Sequence, residues 1–305
     1  MMGIPVPTTP VRTAPIGTAP IGTAPTGTAP VGTAPIGTAP VGAVSSNAAP
    51  ALLATSHGTS DPAGQRAVLG LVDAVAAAAS QLTVVGGYVD VQSPDVPTCL
   101  TGIAAETAGR PVVIVPLLLS AGYHVRVDLA EAAAEASQPV RVTGALGPDA
   151  RLARILADRL QEIGLFPDDT VVLAAAGSTD ANAVADCHST AGQLATVLGR
   201  PVTVGFISAA EPRLADAVRA ARAGAPGRVV VASYLLAPGY FADLADGCGA
   251  DAVSRPLLVD GEEPPQGLVD VIVDLYTSTA RLDQALAGLP WSFSAVRSTT
   301  GGPAR

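Results

Sequence analysis

From residue 50 onward, short and almost continuously apolar runs alternate with longer stretches rich in Ala and Leu. The apolar runs predict strands at Ala51–Thr55, Leu82–Val89, Pro111–Leu118 and Val140–Thr143. The stretches between and after them predict helices at Ala63–Ser80, Pro97–Ala108, Arg126–Ser137 and Asp149–Ile163. Strands that are apolar on both faces and separated by helices are typical of a parallel sheet covered on both sides.

The same order of elements returns in the second half of the chain. Its clearest strands are Thr170–Ala175, Pro201–Ile207 and Arg228–Leu236, and its clearest late helix is Leu268–Arg281. The sequence therefore predicts an α/β fold of two tandem, doubly wound parallel-sheet units, residues 50–165 and 169–290.

The two ends of the chain differ in composition from the segment between them. Residues 13–42 repeat Thr-Ala-Pro-x-Gly six times. A proline at every fifth position excludes a helix, and the glycines keep the backbone entropy high. We therefore expect residues 1–49 to form a disordered Pro/Gly repeat arm, and residues 291–305, rich in Ser, Thr and Gly, to form a flexible tail.

Two motifs of the first half return in the second half. Leu-Ala-Thr-Ser-His-Gly-Thr-Ser-Asp at Leu53–Asp61 corresponds to Leu-Ala-Ala-Ala-Gly-Ser-Thr-Asp at Leu173–Asp180. Leu-Leu-Leu-Ser-Ala-Gly-Tyr-His at Leu117–His124 corresponds to Tyr-Leu-Leu-Ala-Pro-Gly-Tyr-Phe at Tyr234–Phe241. These correspondences indicate a duplication whose copies have diverged at polar positions.

Three polar residues of the first unit follow predicted strands: His57, Asp90 and His124. Ligands of open parallel sheets bind at the carboxyl ends of the strands, so we expect these side chains to share one edge. Two imidazoles and a carboxylate can bind a divalent ion, or accept protons at neutral pH, because free His titrates near a pKa of about 6.5.

The second unit has lost all three groups. Ala176 corresponds to His57, Ser208 to Asp90, and Phe241 to His124. This pattern predicts one active half that is supported by a structural partner.

Composition excludes several classes of function. The formal net charge is −9, and all 17 basic residues are Arg without basic runs, which argues against nucleic acid and anionic membranes as partners. The three cysteines have no C-x-x-C spacing, which fits a reducing compartment. No apolar run reaches about 18 residues, and the N-terminus lacks the features of a signal peptide, so we expect a cytoplasmic protein.

Three segments carry a resemblance to a known family. Ser56–Pro62, Tyr88–Pro94 and Pro116–Asp128 resemble the CbiX/SirB-type sirohydrochlorin chelatases, which are class II tetrapyrrole chelatases, in their long two-domain form. The resemblance covers roughly residues 50–285 and implies a chelatase-like, flavodoxin-like fold. It also implies a lyase that inserts Fe²⁺ or Co²⁺ into sirohydrochlorin without ATP, in sirohaem or cobalamin biosynthesis. No cofactor beyond the divalent metal substrate is expected.

The resemblance also assigns site residues. It places the two metal-handling and catalytic histidines at His57 and His124, and the third metal ligand at Asp90, where the family usually has Glu. Asp is one methylene shorter. Sirohydrochlorin carries many carboxylates, and Arg offers a bidentate fork to a carboxylate. The substrate-binding candidates are Arg126, Arg66, Gly58, Gly122 and Tyr123.

Two alternatives stay open at this point. A non-catalytic metal or tetrapyrrole carrier would bind the ion through the same histidines but release the macrocycle unmetallated. A protoporphyrin ferrochelatase would share the two-unit architecture, although the Arg candidates and the location of both histidines in the first unit argue against it. The sequence does not choose between iron and cobalt, and two facing units in one chain are compatible with a monomer.

Overall fold

The computed structural model describes residues 49–120, 122–224 and 227–287, with the backbone alone for residues 123–126 and 283–287. The arm predicted for residues 1–49, except its last residue, and the tail predicted for residues 291–305 lie outside the described residues. The two sequence copies correspond to a first half, residues 51–162, and a second half, residues 170–287.

The first half contains a four-stranded parallel sheet. Its strands are β1 (Ala51–Ser56), β2 (Val84–Tyr88), β3 (Val112–Pro116) and β4 (Val140–Val142), arranged in the order β2-β1-β3-β4. Every residue of β1 is buried, because β1 pairs with β2 on one side and β3 on the other while helices cover both faces. This burial explains why β1 reads as an uninterrupted apolar run.

The helices of the first half are α1 (Pro62–Ala78), α2 (Val96–Thr107), α3 (Tyr123–Glu135) and α4 (Ala150–Glu162). The carboxylate of Asp61 caps α1 by accepting the Gly64 N–H at 2.9 Å, with Pro62 in the first turn as predicted. Helix α3 begins three residues earlier than predicted. Its N-cap is Gly122, which offers no side-chain capping bond, so the sequence carries no strong start signal there.

The second half repeats this order. Strands β5 (Thr170–Ala175), β6 (Val202–Phe206), β7 (Val229–Tyr234) and β8 (Ala252–Val253) pair in the parallel order β6-β5-β7-β8. The helices are α5 (Ala181–Leu198), α6 (Leu214–Gly224), α7 (Tyr240–Asp246) and α8 (Gln266–Ala287). The predicted fold class of two parallel-sheet α/β units is confirmed.

The last helix of each half packs against the opposite half. Helix α4 contacts α5 and β7, whereas α8 contacts α1 and β3. The Tyr276 hydroxyl on α8 donates a hydrogen bond to the Pro50 carbonyl oxygen at 2.7 Å. The largest apolar core therefore includes residues of both sheets, such as Leu52 and Leu173. Asp149–Ile163 is predicted as the last helix of the first unit. The sequence contains no signal that this helix packs against the second half while α8 packs against the first.

No helix among residues 49–120, 122–224 and 227–287 combines the length and the apolar character that a membrane span requires.

Candidate functional site

A cavity of about 550 Å³ lies where the carboxyl ends of both central strands meet. Loops that follow β1, β3, β5 and β7 contribute most of its wall, and the lining residues fall mainly in the ranges 56–60, 117–120, 175–178 and 234–241. Its volume lies within the range of about 300–1,000 Å³ that is usual for small-molecule and cofactor sites. The duplication thus places the ligand-binding edges of two sheets around one space.

His57 lines this cavity directly after β1. Its side chain is exposed, and among the residues that the structure describes no hydrogen-bond partner contacts its ring. The His57 carbonyl oxygen accepts the Asp90 N–H at 3.1 Å, which ties the loop after β1 to the loop after β2. The imidazole is therefore available to a ligand in the cavity, as the sequence predicts.

Asp90 lies beside this loop but is absent from the described cavity wall. Its side chain is exposed, and its carboxylate accepts the N–H of the next residue, Val91, at 2.7 Å. Within the described part of the chain, no group of three or more His, Cys, Asp and Glu side chains is arranged to hold a metal ion. The role of Asp90 as third metal ligand stays a prediction.

Three predicted site residues belong to the first turn of α3: Tyr123, His124 and Arg126. Their side chains lie outside the described atoms, so their predicted contacts stay untested. The backbone places this turn at the site, because Gly122, the residue before α3, lines the cavity. A Cβ at Gly122 would meet no described atom within 4 Å, and the predicted contact of Gly122 with substrate stays untested.

Gly58 lines the cavity and has a left-handed backbone conformation, with φ of +94°. A Cβ on Gly58 would collide with the carbonyl oxygen of Asp90. Gly177 has the same role in the second half, with φ of +92° and a collision with the Ser208 carbonyl oxygen. Because the second half, which has Ala176 in place of His57, makes the same demand, the fold of the loop itself requires this glycine.

Arg66 on α1 is bound away from the cavity. Its guanidinium donates hydrogen bonds to both carboxylate oxygens of Asp260, at 3.0 Å from Nε to Oδ1 and at 2.5 Å from Nη2 to Oδ2. The hydrogen bond from Arg66 lowers the pKa of Asp260 below its usual value. The Arg66 side chain is 60% exposed and does not line the described wall, so its predicted contact to substrate stays a prediction.

The floor of the cavity contains pairs of residues that the duplication relates. Ser56 corresponds to Ala175, and Leu117 corresponds to Tyr234. The Ser56 Oγ is buried and has no hydrogen-bond partner among the described residues. The Tyr234 hydroxyl donates to the Leu119 carbonyl oxygen at 2.8 Å and so joins the two halves. These two polar residues, Ser56 and Tyr234, were not predicted as site residues, although both differ from their counterparts in the other half.

Cys187 on α5 is a further residue of the floor. Burial raises the pKa of its thiol to about 11, although a hydrogen bond from Ser120 of the first half acts in the opposite direction. At neutral pH the group is therefore a protonated thiol, which packs as a small apolar side chain.

An exposed aromatic pair lies at the edge of the cavity in the second half. Tyr240 is 71% exposed and Phe241 is 39% exposed, and their rings meet edge to face with centroids 5.9 Å apart. Both residues line the cavity, and Phe241 occupies the position that corresponds to His124. The second half thus presents aromatic surface where the first half carries an imidazole.

The family comparison finds a match over most of this architecture. The model of the CbiX family matches residues 51–163 and 170–244, which together form more than half of the chain. The described strands β1 to β7 lie within these matched ranges. A search of curated proteins finds no match to this chain.

Solved structures show the same fold. SirB from Bacillus subtilis, solved with Fe³⁺, is 20% identical, with a TM-score of 0.63 over 78% of this chain and 98% of its own. The sirohydrochlorin chelatase SirB from Bacillus subtilis subspecies spizizenii, in complex with cobalt, is 17% identical, with a TM-score of 0.61 over 78% and 97%. CbiX, described as the terminal enzyme of siroheme biosynthesis in denitrifying bacteria, is 21% identical, with a TM-score of 0.52 over 73% and 98%.

Proposed function

Because this chain belongs to the CbiX family, we propose that it is a sirohydrochlorin chelatase that inserts Fe²⁺ or Co²⁺ into its macrocycle without ATP. The observation that carries the proposal is the position of His57, an exposed imidazole on the wall of a cavity between two sheet edges. The structural neighbours SirB and CbiX, two of them solved with iron or cobalt, support the same reaction.

The chemistry of metallation explains why an imidazole is needed there. Two pyrrole N–H protons must leave the macrocycle while the metal ion loses water and enters the ring plane. An imidazole can hold the ion, accept a proton, or do each in turn. In the proposal His57 performs this role from the end of β1, with His124 supplied by the first turn of α3 and Asp90 as a further ligand.

The second half provides the opposite wall. Tyr240 and Phe241 offer exposed rings that can contact the face of a planar macrocycle. Bending the macrocycle exposes its nitrogen lone pairs, and binding energy can supply strain of about 1–5 kcal/mol. In the proposal, the replacement of the two site histidines by Ala176 and Phe241 in this half exchanges a metal site for a binding surface.

A spectrophotometric assay tests the proposal. Purified protein is mixed with sirohydrochlorin and with Fe²⁺ or Co²⁺ in turn, and loss of the free macrocycle is followed against a blank without enzyme. We expect acceleration with at least one ion, and His124→Ala should abolish it while the circular dichroism spectrum is unchanged. Near-normal metallation by His124→Ala would contradict the proposed site.

The same assay separates the carrier alternative. A carrier would bind the ion and the macrocycle yet leave the rate of metallation at that of the blank. Binding without turnover would therefore replace the chelatase proposal with that of a carrier.

A less acidic macrocycle is the second candidate substrate, favoured by one observation. The described cavity wall carries no Arg, and the guanidinium of Arg66 is bound to Asp260 instead. A ring with few carboxylates, such as protoporphyrin, fits the described part of this wall better than sirohydrochlorin does. Competition between the two macrocycles in the assay decides, and a higher kcat/KM for protoporphyrin would support the second candidate.

A further inference from the structure

The peptide groups of Thr59 are held by two glutamine side chains. The Thr59 N–H donates to Oε1 of Gln92 at 2.9 Å. The Thr59 carbonyl oxygen accepts from Nε2 of Gln65 at 2.8 Å. Gln65 lies on α1 and Gln92 lies in the loop after β2, so the residue two positions after His57 is held from two directions. We call this pair of contacts the glutamine clamp.

The second half contains the same loop without the clamp. The Ser208 N–H donates to the Ala176 carbonyl oxygen at 2.9 Å, as the Asp90 N–H donates to the His57 carbonyl oxygen at 3.1 Å. In each half, the residue two positions after this donor donates its own N–H to the carbonyl oxygen of the donor residue. This residue is Gln92 in the first half and Ala210 in the second. Alanine therefore stands where the first half has one of its clamping glutamines.

The helix that follows shows the same substitution. Asp61 and Asp180 are the N-caps of α1 and α5. The carbonyl oxygen of each accepts the N–H of the residue four positions later in the chain. These N–H groups belong to Gln65 in the first half and to Val184 in the second. Both clamping glutamines are thus replaced by apolar residues in the half that has lost the histidine.

We propose that Gln65 and Gln92 are positioning residues, which fix the loop after β1 so that His57 is held at the cavity wall. The second half folds an equivalent loop with Ala210 and Val184, so the clamp is not needed for the loop to form. It restricts the motion of a loop that would otherwise spend time away from the geometry that the reaction needs. This inference rests on the proposed function of His57.

The first test converts the clamp to the residues of the second half. Gln65→Val and Gln92→Ala are made singly and together, and backbone amide exchange is measured by NMR. We expect the Thr59 amide to exchange about tenfold faster or more in Gln92→Ala, with the Ser178 amide as an unchanged internal reference. Unchanged Thr59 exchange in the double variant would overturn the proposal.

The directions of the two bonds give a sharper control. Gln92 accepts a hydrogen bond and Gln65 donates one, so the same substitution has opposite effects at the two positions. Gln92→Glu keeps an acceptor for the Thr59 N–H and should preserve slow exchange of the Thr59 amide. Gln65→Glu removes the donor and places a carboxylate against a carbonyl oxygen, so the loop should loosen. Gln81→Glu, at an exposed position, controls for the added charge. Equal behaviour of the two clamp variants would contradict the assigned contacts.

Turnover connects the clamp to His57. Loss of residues that orient a functional side chain commonly costs about 10–100-fold. We expect kcat for metallation to fall by this factor in the double variant, with KM for the macrocycle changed less than about twofold. Unchanged kcat despite rapid Thr59 exchange would overturn the positioning role.

The inference and the proposed function fail in different ways. If wild-type protein metallates no macrocycle, the proposed function is wrong, whereas Thr59 exchange and the ring resonances of His57 still test the clamp. Ring resonances that broaden or shift in Gln65→Val and Gln92→Ala support the positioning of His57. Resonances identical to wild type in both variants would overturn it even in an active enzyme.

Discussion

The hydroxyl of Tyr234 predicts a measurable link between the two halves. Tyr234 is buried at the floor of the cavity, and its hydroxyl donates to the Leu119 carbonyl oxygen at 2.8 Å. The Thr190 hydroxyl oxygen lies 3.3 Å from the Tyr234 hydroxyl oxygen. Burial raises the pKa of Tyr234, so the hydroxyl keeps its proton at neutral pH and remains a donor. Tyr234→Phe removes this bond and leaves the ring in place.

The expected cost follows from the contacts that are lost. A hydrogen bond contributes about 0.5–1.5 kcal/mol, and leaving its partner unsatisfied costs about 1–3 kcal/mol. The Leu119 carbonyl borders the cavity, where water can replace part of the loss, so we expect Tyr234→Phe to destabilise by about 1–2 kcal/mol. For a folded region of this size, about 2–4 °C in Tm corresponds to each kcal/mol, which gives a fall of about 2–8 °C.

Thermal and urea unfolding followed by circular dichroism measure this cost. Tyr240→Phe is the matched control, because Tyr240 is 71% exposed and surface changes typically stay within about 0.5 kcal/mol. We also expect faster amide exchange in residues 117–120 of Tyr234→Phe, since the bond ends on this segment. Equal stability of the Tyr234→Phe and Tyr240→Phe variants would refute the link between the halves.

Three further predictions concern single residues. The hydrogen bonds from Arg228 lower the pKa of Asp169, so the charged form of Asp169 stabilises the fold above the ordinary Asp pKa of about 4. In urea unfolding, the stability advantage of wild type over Asp169→Asn should therefore shrink as the pH falls below that value. A difference that stays constant with pH would contradict this prediction. Gly58→Ala and Gly177→Ala should each lower Tm, because both glycines have positive φ and meet a backbone carbonyl; an unchanged Tm would contradict the loop geometry. Ser56→Ala should leave Tm unchanged or raised, because it removes a buried hydroxyl without a described partner, and a fall of several degrees would contradict this.

The alternation of apolar strands and helices made most of the fold predictable. β1 and β5 are fully or almost fully buried, so their sequences read as apolar runs with sharp ends, and β5 was predicted to the residue. The start of α3 was misplaced because Gly122 provides no capping side chain. The exchange of α4 and α8 between the halves had no signal, because the apolar face of an amphipathic helix fits either sheet.

The site was predictable where it depends on strand ends. A polar residue directly after a buried parallel strand falls at the ligand-binding edge, which is why His57 was found. Arg66 was chosen for its charge, but no sequence motif indicates its partner Asp260, which lies 194 residues away and binds its guanidinium. Gln65 and Gln92 were overlooked because their importance lies in contacts to a backbone peptide, which leave no motif in the sequence.

We propose that His57 of the first half performs metallation while the second half serves as a wall. The most direct test is the rate of metal insertion into sirohydrochlorin by His57→Ala. His188→Ala is the matched control, since it removes an exposed imidazole that lies outside the described cavity wall and contacts Phe206 instead. We predict a loss of about 100-fold or more for His57→Ala, the contribution expected of a positioned acid–base group, and a rate near wild type for His188→Ala. Equal rates for the two variants would contradict the claim.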